Sequence, residues 1–491
     1  MSQSNPVQPD AVSPAPPHLE RQIGLGSAVS LNMLNMIGVG PFIALPLIIL
    51  AMGGPQAMLG WVLGALIAIC DGMVWAELGA AMPKAGGSYA FLRQIYGPNG
   101  PGRLFSFLYV WQVGFSAPLS IASGCIGLSQ YAAYLWPPLH GVVFPSVPLL
   151  GFLHYTSLLA AGSCVLVVIL LYRNVKSIAR MAWVLWVGVV FTIGAVILAG
   201  LTHFHPQLVF TLPPGAFRMD RPFFEGLGAA TLLATYCYWG YYNVSFLGAE
   251  IREPGRNIPR AVLLSVVLVA TLYLLMNVSV LGVVPWQEMH AGSDPGSKLA
   301  VVAVVMQRTF GPFAARAIAA LVIWTAFASV FSLVLGYSRV PYAAAVDGNY
   351  FRFFARLHPT QHFPNRSLIA LGAVATLFCF FDLSHVIAAL VAIRIVLQFL
   401  LQQVGVILLR IRQPEMPRPF RIWLYPLPPI LAFAGFLFIL ISRHEAMREF
   451  SYAGAVAVSG TILFLIRSRI RREWPFAKAT DAVTDRTITE N

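Results

Sequence analysis

Apolar runs of bilayer length, separated by short polar stretches, dominate the chain. About twelve can be distinguished, at 27–52, 56–81, 103–135, 149–171, 180–201, 223–249, 259–284, 313–340, 367–382, 385–409, 420–441 and 450–467. A helix needs ~20 apolar residues to cross the hydrocarbon core, and helices satisfy their own backbone there. The pattern therefore predicts an all-α membrane protein of about 12 transmembrane helices. Two of the runs carry a break signal. In the first, Asn35-Met36-Ile37-Gly38-Val39-Gly40-Pro41-Phe42 places two glycines and a proline within four residues. Glycine opposes a helix through entropy, and proline through its missing N–H and its ring. A short unwound piece at mid-membrane is predicted, and backbone can be unpaired at that depth only where protein buries it or a wet cavity meets it. The freed N–H and C=O groups are ready ligands for a carboxylate or an ammonium. Close packing through small residues is the competing explanation, and Pro41 favours the break.

The second irregular point, Tyr238-Trp239-Gly240-Tyr241-Tyr242-Asn243, falls in the sixth run, five runs after the first. An odd number of spans per half makes the second half insert with opposite orientation. Interrupted helices at matching positions in two inverted halves point to the central site of a secondary transporter. The expected organisation is a disordered cytoplasmic tail at 1–18, a transporter core at 19–412 and two additional helices at 413–475 after Pro414, Pro417 and Pro419. A polar tail follows at 476–491.

Composition agrees with the pattern. Hydrophobic residues make up 58% of the chain and charged residues 10%, against about a quarter charged in soluble proteins. The net charge of +13 raises the question of nucleic-acid binding, but the basic residues sit at the ends of apolar runs. Lys84, Arg93 and Arg103 follow the second run, Arg173, Lys176 and Arg180 the fourth, and Arg252, Arg256 and Arg260 the sixth. Arg339, Arg352, Arg356 and Arg366 follow the eighth, Arg410, Arg412, Arg418 and Arg421 the tenth, and Arg467, Arg469, Arg471 and Arg472 the twelfth. This alternation is the positive-inside pattern of a multi-pass cell-membrane protein with both termini in the cytoplasm. Cys70, Cys125, Cys164, Cys237 and Cys379 all lie within apolar runs without C-x-x-C spacing. Neither a structural metal nor a disulfide-linked partner is expected, and no cofactor motif is present.

Ionisable residues inside apolar runs are functional candidates because a charge is costly there. Asp71 in the second run and Arg394 in the tenth stand out as candidates for coupling or gating. Glu77 and Glu250, near predicted cytoplasmic ends, suit gate or loop ion pairs. Ser329 and Ser332 share one helical face. Tyr236, Tyr238, Trp239, Tyr241 and Tyr242 cluster midway along the sixth run, where an aromatic wall or lid suits them better than an interfacial belt. His203 and His205 read as solvated loop residues. No Walker stretch offers ATP drive. An enzyme would need a nucleophile–base pair or metal ligands at depth, and His385, at the edge of the tenth run, has no partner at a telling spacing.

Three segments then carry a family likeness: Gly38-Val39-Gly40-Pro41-Phe42; Ala76-Glu77-Leu78 with Pro83-Lys84-Ala85-Gly86-Gly87-Ser88-Tyr89; and Ala249-Glu250-Ile251-Arg252-Glu253-Pro254-Gly255-Arg256-Asn257-Ile258-Pro259-Arg260. Through them the chain resembles the amino acid–polyamine–organocation (APC) superfamily, near its bacterial amino acid permeases and light-chain-like transporters. The resemblance implies a five-plus-five inverted repeat with discontinuous helices 1 and 6, plus two peripheral helices, moving small amino-containing solutes by alternating access. It also implies an α-carboxylate held by backbone N–H groups around Val39 and Gly40, beside Gly38. The α-ammonium would meet carbonyls near Met36 and Ile37 and in the unwound part around Gly240. Tyr236 matches the aromatic that lids such sites, and Tyr242 and Asn243 follow the break. Val39 departs from the family's small or hydroxylated residue. The fifth run lacks the lysine that some proton-coupled relatives carry, having only Arg180 at its edge. The expected function is secondary amino acid transport, as proton symporter or exchanger. A polyamine or organocation transporter and a non-transporting amino acid sensor are the alternatives.

Overall fold

The computed structural model describes residues 19–147, 151–173, 175–291, 301–381, 391–442 and 446–476. In chain order its helices are α1 (Leu25–Met36), α2 (Gly40–Met52), α3 (Met58–Ala81), α4 (Ser88–Ile95), α5 (Pro101–Leu135), α6 (Tyr155–Leu171) and α7 (Val175–Thr202). There follow α8 (Pro206–Phe210), α9 (Arg221–Tyr238), α10 (Asn243–Phe246), α11 (Pro254–Leu281), α12 (Trp286–Ala291), α13 (Val301–Phe310) and α14 (Pro312–Tyr337). The last five are α15 (Arg339–Val346), α16 (Asn365–Phe378), α17 (Leu401–Arg412), α18 (Leu427–Ile441) and α19 (Ala446–Arg471). A π-helical turn at Ile395–Leu400 leads into α17.

Among the described residues, seven helices are long and apolar enough to cross a bilayer, and the α1–α2 pair, bent by 44°, makes an eighth. This is fewer than the twelve spans expected from the apolar runs. The reason is local. The fourth, ninth and eleventh runs form helices of 17, 14 and 15 residues, which at ~1.5 Å per residue reach only about 21–26 Å against a core of about 30 Å. The sixth helix stops at Tyr238, where the second break signal lies.

Among the described residues, one two-stranded sheet departs from the all-α expectation. Val142–Val147 (β1) and Gly151–His154 (β2) pair antiparallel in the connection after α5. The β-branched and aromatic stretch Val142-Val143-Phe144 suits a strand, so the fourth helix begins at Tyr155 rather than 149. Two helices, α12 and α13, occupy a connection in which none was predicted. The ten-residue α13 packs on α14 and α7.

Packing places the two broken helices at the centre. Helix α1 lies against α7, α11 and α14, and α2 lies against α9. Around them α3 packs on α9 and α11, while α5 packs along α14. Helix α18 docks on α3 and α17, and α19 on α5. Only 17% of the most apolar window of α19 is buried, so it is the most peripheral of the long helices.

Candidate functional site

The first break is built as the glycines and proline demand. Helix α1 ends at Met36, Ile37 leaves the helical region (φ −90°, ψ 83°), and α2 starts at Gly40 with proline in its first turn. The Gly38 N–H donates to the Met36 carbonyl at 3.2 Å. Among the described residues the N–H groups of Val39 and Gly40 have no acceptor, and no side chain caps α2. The start of α2 thus presents unpaired donors with the positive end of the helix dipole behind them.

The second break fits against the first, backbone to backbone. Gly240 has φ +127°, and a Cβ on it would lie 2.8 Å from the Met36 nitrogen and 2.9 Å from the Asn35 carbonyl carbon. Only glycine meets both conditions. Buried side chains then stitch the two breaks together. The Asn32 amide donates to the Tyr241 carbonyl and to Ser265 Oγ at 3.2 Å, while its oxygen accepts from the Val244 N–H at 2.8 Å. Tyr273 Oη donates to the Met36 carbonyl at 2.9 Å.

A cavity of about 330 Å³ lies where the breaks meet. Of the residues singled out in the sequence, Met36, Gly38, Val39, Gly40, Tyr236, Trp239, Tyr242, Ser329 and Arg394 line it. Ile37, Tyr238, Gly240 and Asn243 do not. Ile37 is fully buried. Tyr238 points away, with its ring against Trp61 and Tyr273 and its hydroxyl donating to the Trp61 carbonyl at 3.4 Å. Gly240 is taken up by the backbone contact. Asn243 is held behind the wall, donating to Ser332 Oγ at 2.9 Å, and Ser332 in turn donates to the Leu31 carbonyl at 2.7 Å. The sequence reading missed Asn35, Ser120, Ser123, Gln130 and Tyr337, which also line the cavity. A signal for part of this set was present in α5, where Ser120, Ser123, Gly124 and Gly127 recur at helical spacing on one face.

One end of the cavity is open and the other closed. Its walls run to the exposed Leu47 and Gln130, toward the ends of α2 and α5. Below, Tyr242 stacks on Trp75 with ring centres 4.7 Å apart, and Phe246 meets Tyr337 at 5.4 Å. Beneath these rings Glu250 and Arg339, both almost fully buried, form a two-point ion pair at 2.8 and 3.2 Å. Arg339 also reaches the Leu335 carbonyl at 3.1 Å and Ser338 Oγ at 3.0 Å. The Glu250 carbonyl accepts from the N–H groups of Gln22 and Ile23 at 2.9 and 3.0 Å, tying the lead-in to α1 to the same point. The two charged motifs meet here as well: Gly86 N–H donates to the Phe246 carbonyl at 3.1 Å, and Ala85 bridges to Leu247. Glu77 accepts from Arg410 Nε and from the Ile422 N–H, both at 2.8 Å, and has Arg418 within 3.6 Å. It clamps the segment before α18 to α3.

Asp71 lies outside the cavity lining. It is completely buried, and its carboxyl accepts from Tyr241 Oη and Gln403 Nε2. Its partners join α3, the second break and α17, an arrangement that holds elements in place. No group of three or more His, Cys, Asp or Glu residues is placed to hold a metal ion among the described residues.

The family model for amino acid permeases matches residues 23–458, covering both breaks, the cavity and the ion pairs. The chain belongs to the amino acid permease family. Like other amino acid permeases it is a multi-pass membrane transporter and not an enzyme. It is 27% identical to the serine/threonine exchanger SteT of Bacillus subtilis over 431 residues, 86% of this chain and 91% of that protein. It is 30% identical to an uncharacterised transporter of Mycobacterium tuberculosis over 366 residues, 73% of each chain. The human large neutral amino acids transporter small subunit 2 is 26% identical over 427 residues, 86% of this permease and 76% of that chain.

Proposed function

We propose that this permease is a secondary active transporter that carries amino acids by alternating access through the cavity between its broken helices. The observation that carries the reading is the start of α2, where the Val39 and Gly40 N–H groups have no acceptor among the described residues and their residues line the cavity. A helix N-terminus with free donors favours an anion, and an α-carboxylate fits it. The C-terminal end of α1 supplies carbonyl dipoles of the sign an α-ammonium needs. Tyr236 and Trp239, with rings 5.6 Å apart, would cover the bound solute. No carboxylate lines the cavity among the described residues, which disfavours a polyamine or another organocation as substrate.

In this reading the helices up to α7 and those from α9 to α17 are two inverted halves, and α6, α9, α16 and α18 complete the membrane-spanning set. The ends carrying the Glu250–Arg339 pair face the cytoplasm, as do both termini, because the arginine-rich connections lie on that side. The present arrangement is then open outward and closed inward. Inward release requires the ring floor and the Glu250–Arg339 pair to part.

Exchange is the coupling mode we favour. One relative is named an exchanger, and Asp71 is engaged by two donors away from the cavity. The test is uptake of radiolabelled amino acids by the purified protein in liposomes, with and without unlabelled amino acid inside and with and without an inward proton gradient. Accumulation that requires preloading is the expected result; entry of no amino acid under any condition would overturn the transport reading. Asp71→Asn is expected to keep exchange within about threefold of wild type, since the near-isosteric amide can accept from Gln403 and donate to the Tyr241 hydroxyl once that turns. Loss of proton-driven uptake in that variant alone would instead make Asp71 the coupling group.

A further inference from the structure

We propose that Arg394 makes this site selective for amino acids with an anionic side chain. The inference rests on reading the cavity as an amino acid site and goes on to name the substrate class. Arg394 lies just before the π-helical turn at Ile395–Leu400, a local widening of the kind that recurs at functional sites. It lines the cavity and is only 5% exposed. Among the described lining residues it is the one charged side chain. No carboxylate pairs with it among the described residues, although Arg339 and Arg410, at helix ends, both have one.

Among the described residues, the contacts of Arg394 include no strong acceptor. Nη2 donates to Ser120 Oγ at 3.4 Å, a long bond, and Nε has no acceptor. The guanidinium carbon lies 5.5 Å from the Trp239 ring centre and 5.7 Å from that of Tyr337. Aromatic faces attract a cation, but they leave the planar N–H fork without the acceptors it suits. A buried charge at such depth is costly unless something pairs with it. A carboxylate on the solute would supply the charge and the acceptors together.

That carboxylate is assigned to the side chain because the same cavity already has a second place for an anion, the Val39 and Gly40 N–H groups at the start of α2, which have no acceptor among the described residues. A solute with an α-ammonium, an α-carboxylate and a side-chain carboxylate carries one net negative charge, which Arg394 neutralises. A neutral amino acid would fill the cavity and leave the guanidinium uncompensated. The serine/threonine and large neutral relatives carry names of neutral solutes, so an anionic solute would set the present chain apart from them.

Glutamate and glutamine differ by one carboxylate oxygen and make the sharpest comparison. In liposomes holding the full-length wild-type protein, glutamate should compete for uptake of a labelled amino acid at a concentration at least about tenfold below glutamine. Arg394→Gln should lower kcat/KM for glutamate about 30-fold or more, mainly through KM, and so erase or invert the preference for glutamate over glutamine. Arg394→Lys should retain part of the glutamate uptake. Equal competition by glutamate and glutamine in the wild type would overturn the proposal without needing any variant to fold. An equal loss for every amino acid in a stably folded Arg394→Gln would also overturn it, assigning Arg394 to the α-carboxylate or to structure. Entry of no amino acid at all would instead be a failure of the transport reading itself.

Discussion

Glu250→Gln is expected to be among the most destabilising single substitutions in the chain. It leaves the Arg339 guanidinium buried with no counter-charge, because Glu250 is its carboxylate partner at 2.8 and 3.2 Å and both side chains are almost entirely enclosed. Removing one member of such a pair costs about 3–5 kcal/mol. The loss should fall on the state described here, since the pair closes the face below the ring floor. Two readouts follow. The unfolding midpoint in detergent should drop sharply, and the opposite face should become more accessible to a labelling reagent directed at a cysteine placed in the Gly86–Ser88 turn. Combining Glu250→Gln with Arg339→Met should recover much of the lost stability, because deleting both charges removes the uncompensated one. If the single variant melts with wild type, or the double variant is worse than the single, the pair is not what holds this face shut.

Gly240→Ala is expected to abolish transport while Gly53→Ala does not. The two glycines have positive φ, +127° and +71°, so an alanine is strained at each by about 1–3 kcal/mol. They differ in what the new methyl meets. At Gly53, the C-cap of α2, nothing lies within 4 Å. At Gly240 the methyl would press to 2.8 Å on the Met36 nitrogen and 2.9 Å on the Asn35 carbonyl carbon. Neither atom is the end of a flexible side chain, so the breaks must separate, and with them the cavity walls. Uptake of labelled amino acid by both variants, with the folded fraction measured by size exclusion, checks this. Comparable activity in the two would show that the close approach at Gly240 does not set the cavity.

The closeness of the two breaks accounts for what could and could not be read from the chain. Gly38, Gly40 and Pro41 announce the interruption of the first helix through backbone chemistry alone, and residues 239–242 do the same for the sixth. Both interruptions occur, and eight of the twelve residues expected around a substrate border the cavity they form. Local sequence also accounts for the basic residues at helix ends. Span length was less well specified, since hydropathy marks a run but not where its helix stops. Pro-rich entry into α18, the strand at Gly151–His154 and the break at Tyr238 all shorten helices within apolar sequence.

What only the tertiary structure decided is the direction in which side chains at a break point. Tyr238 and Tyr242 are four residues apart and equally aromatic, yet an unwound segment between them ends the helical periodicity, so one turns to Trp61 and the other to the cavity. Asp71 and Arg394 looked alike in the sequence, as isolated charges inside apolar runs. Their fates depend on neighbours from distant parts of the chain. Tyr241 and Gln403 close around Asp71, whereas Arg394 meets two aromatic faces and the open cavity. The desolvation cost of a charge at depth can be inferred from one sequence. Which groups offset it depends on helices packed side by side, and hydrophobic periodicity does not specify that.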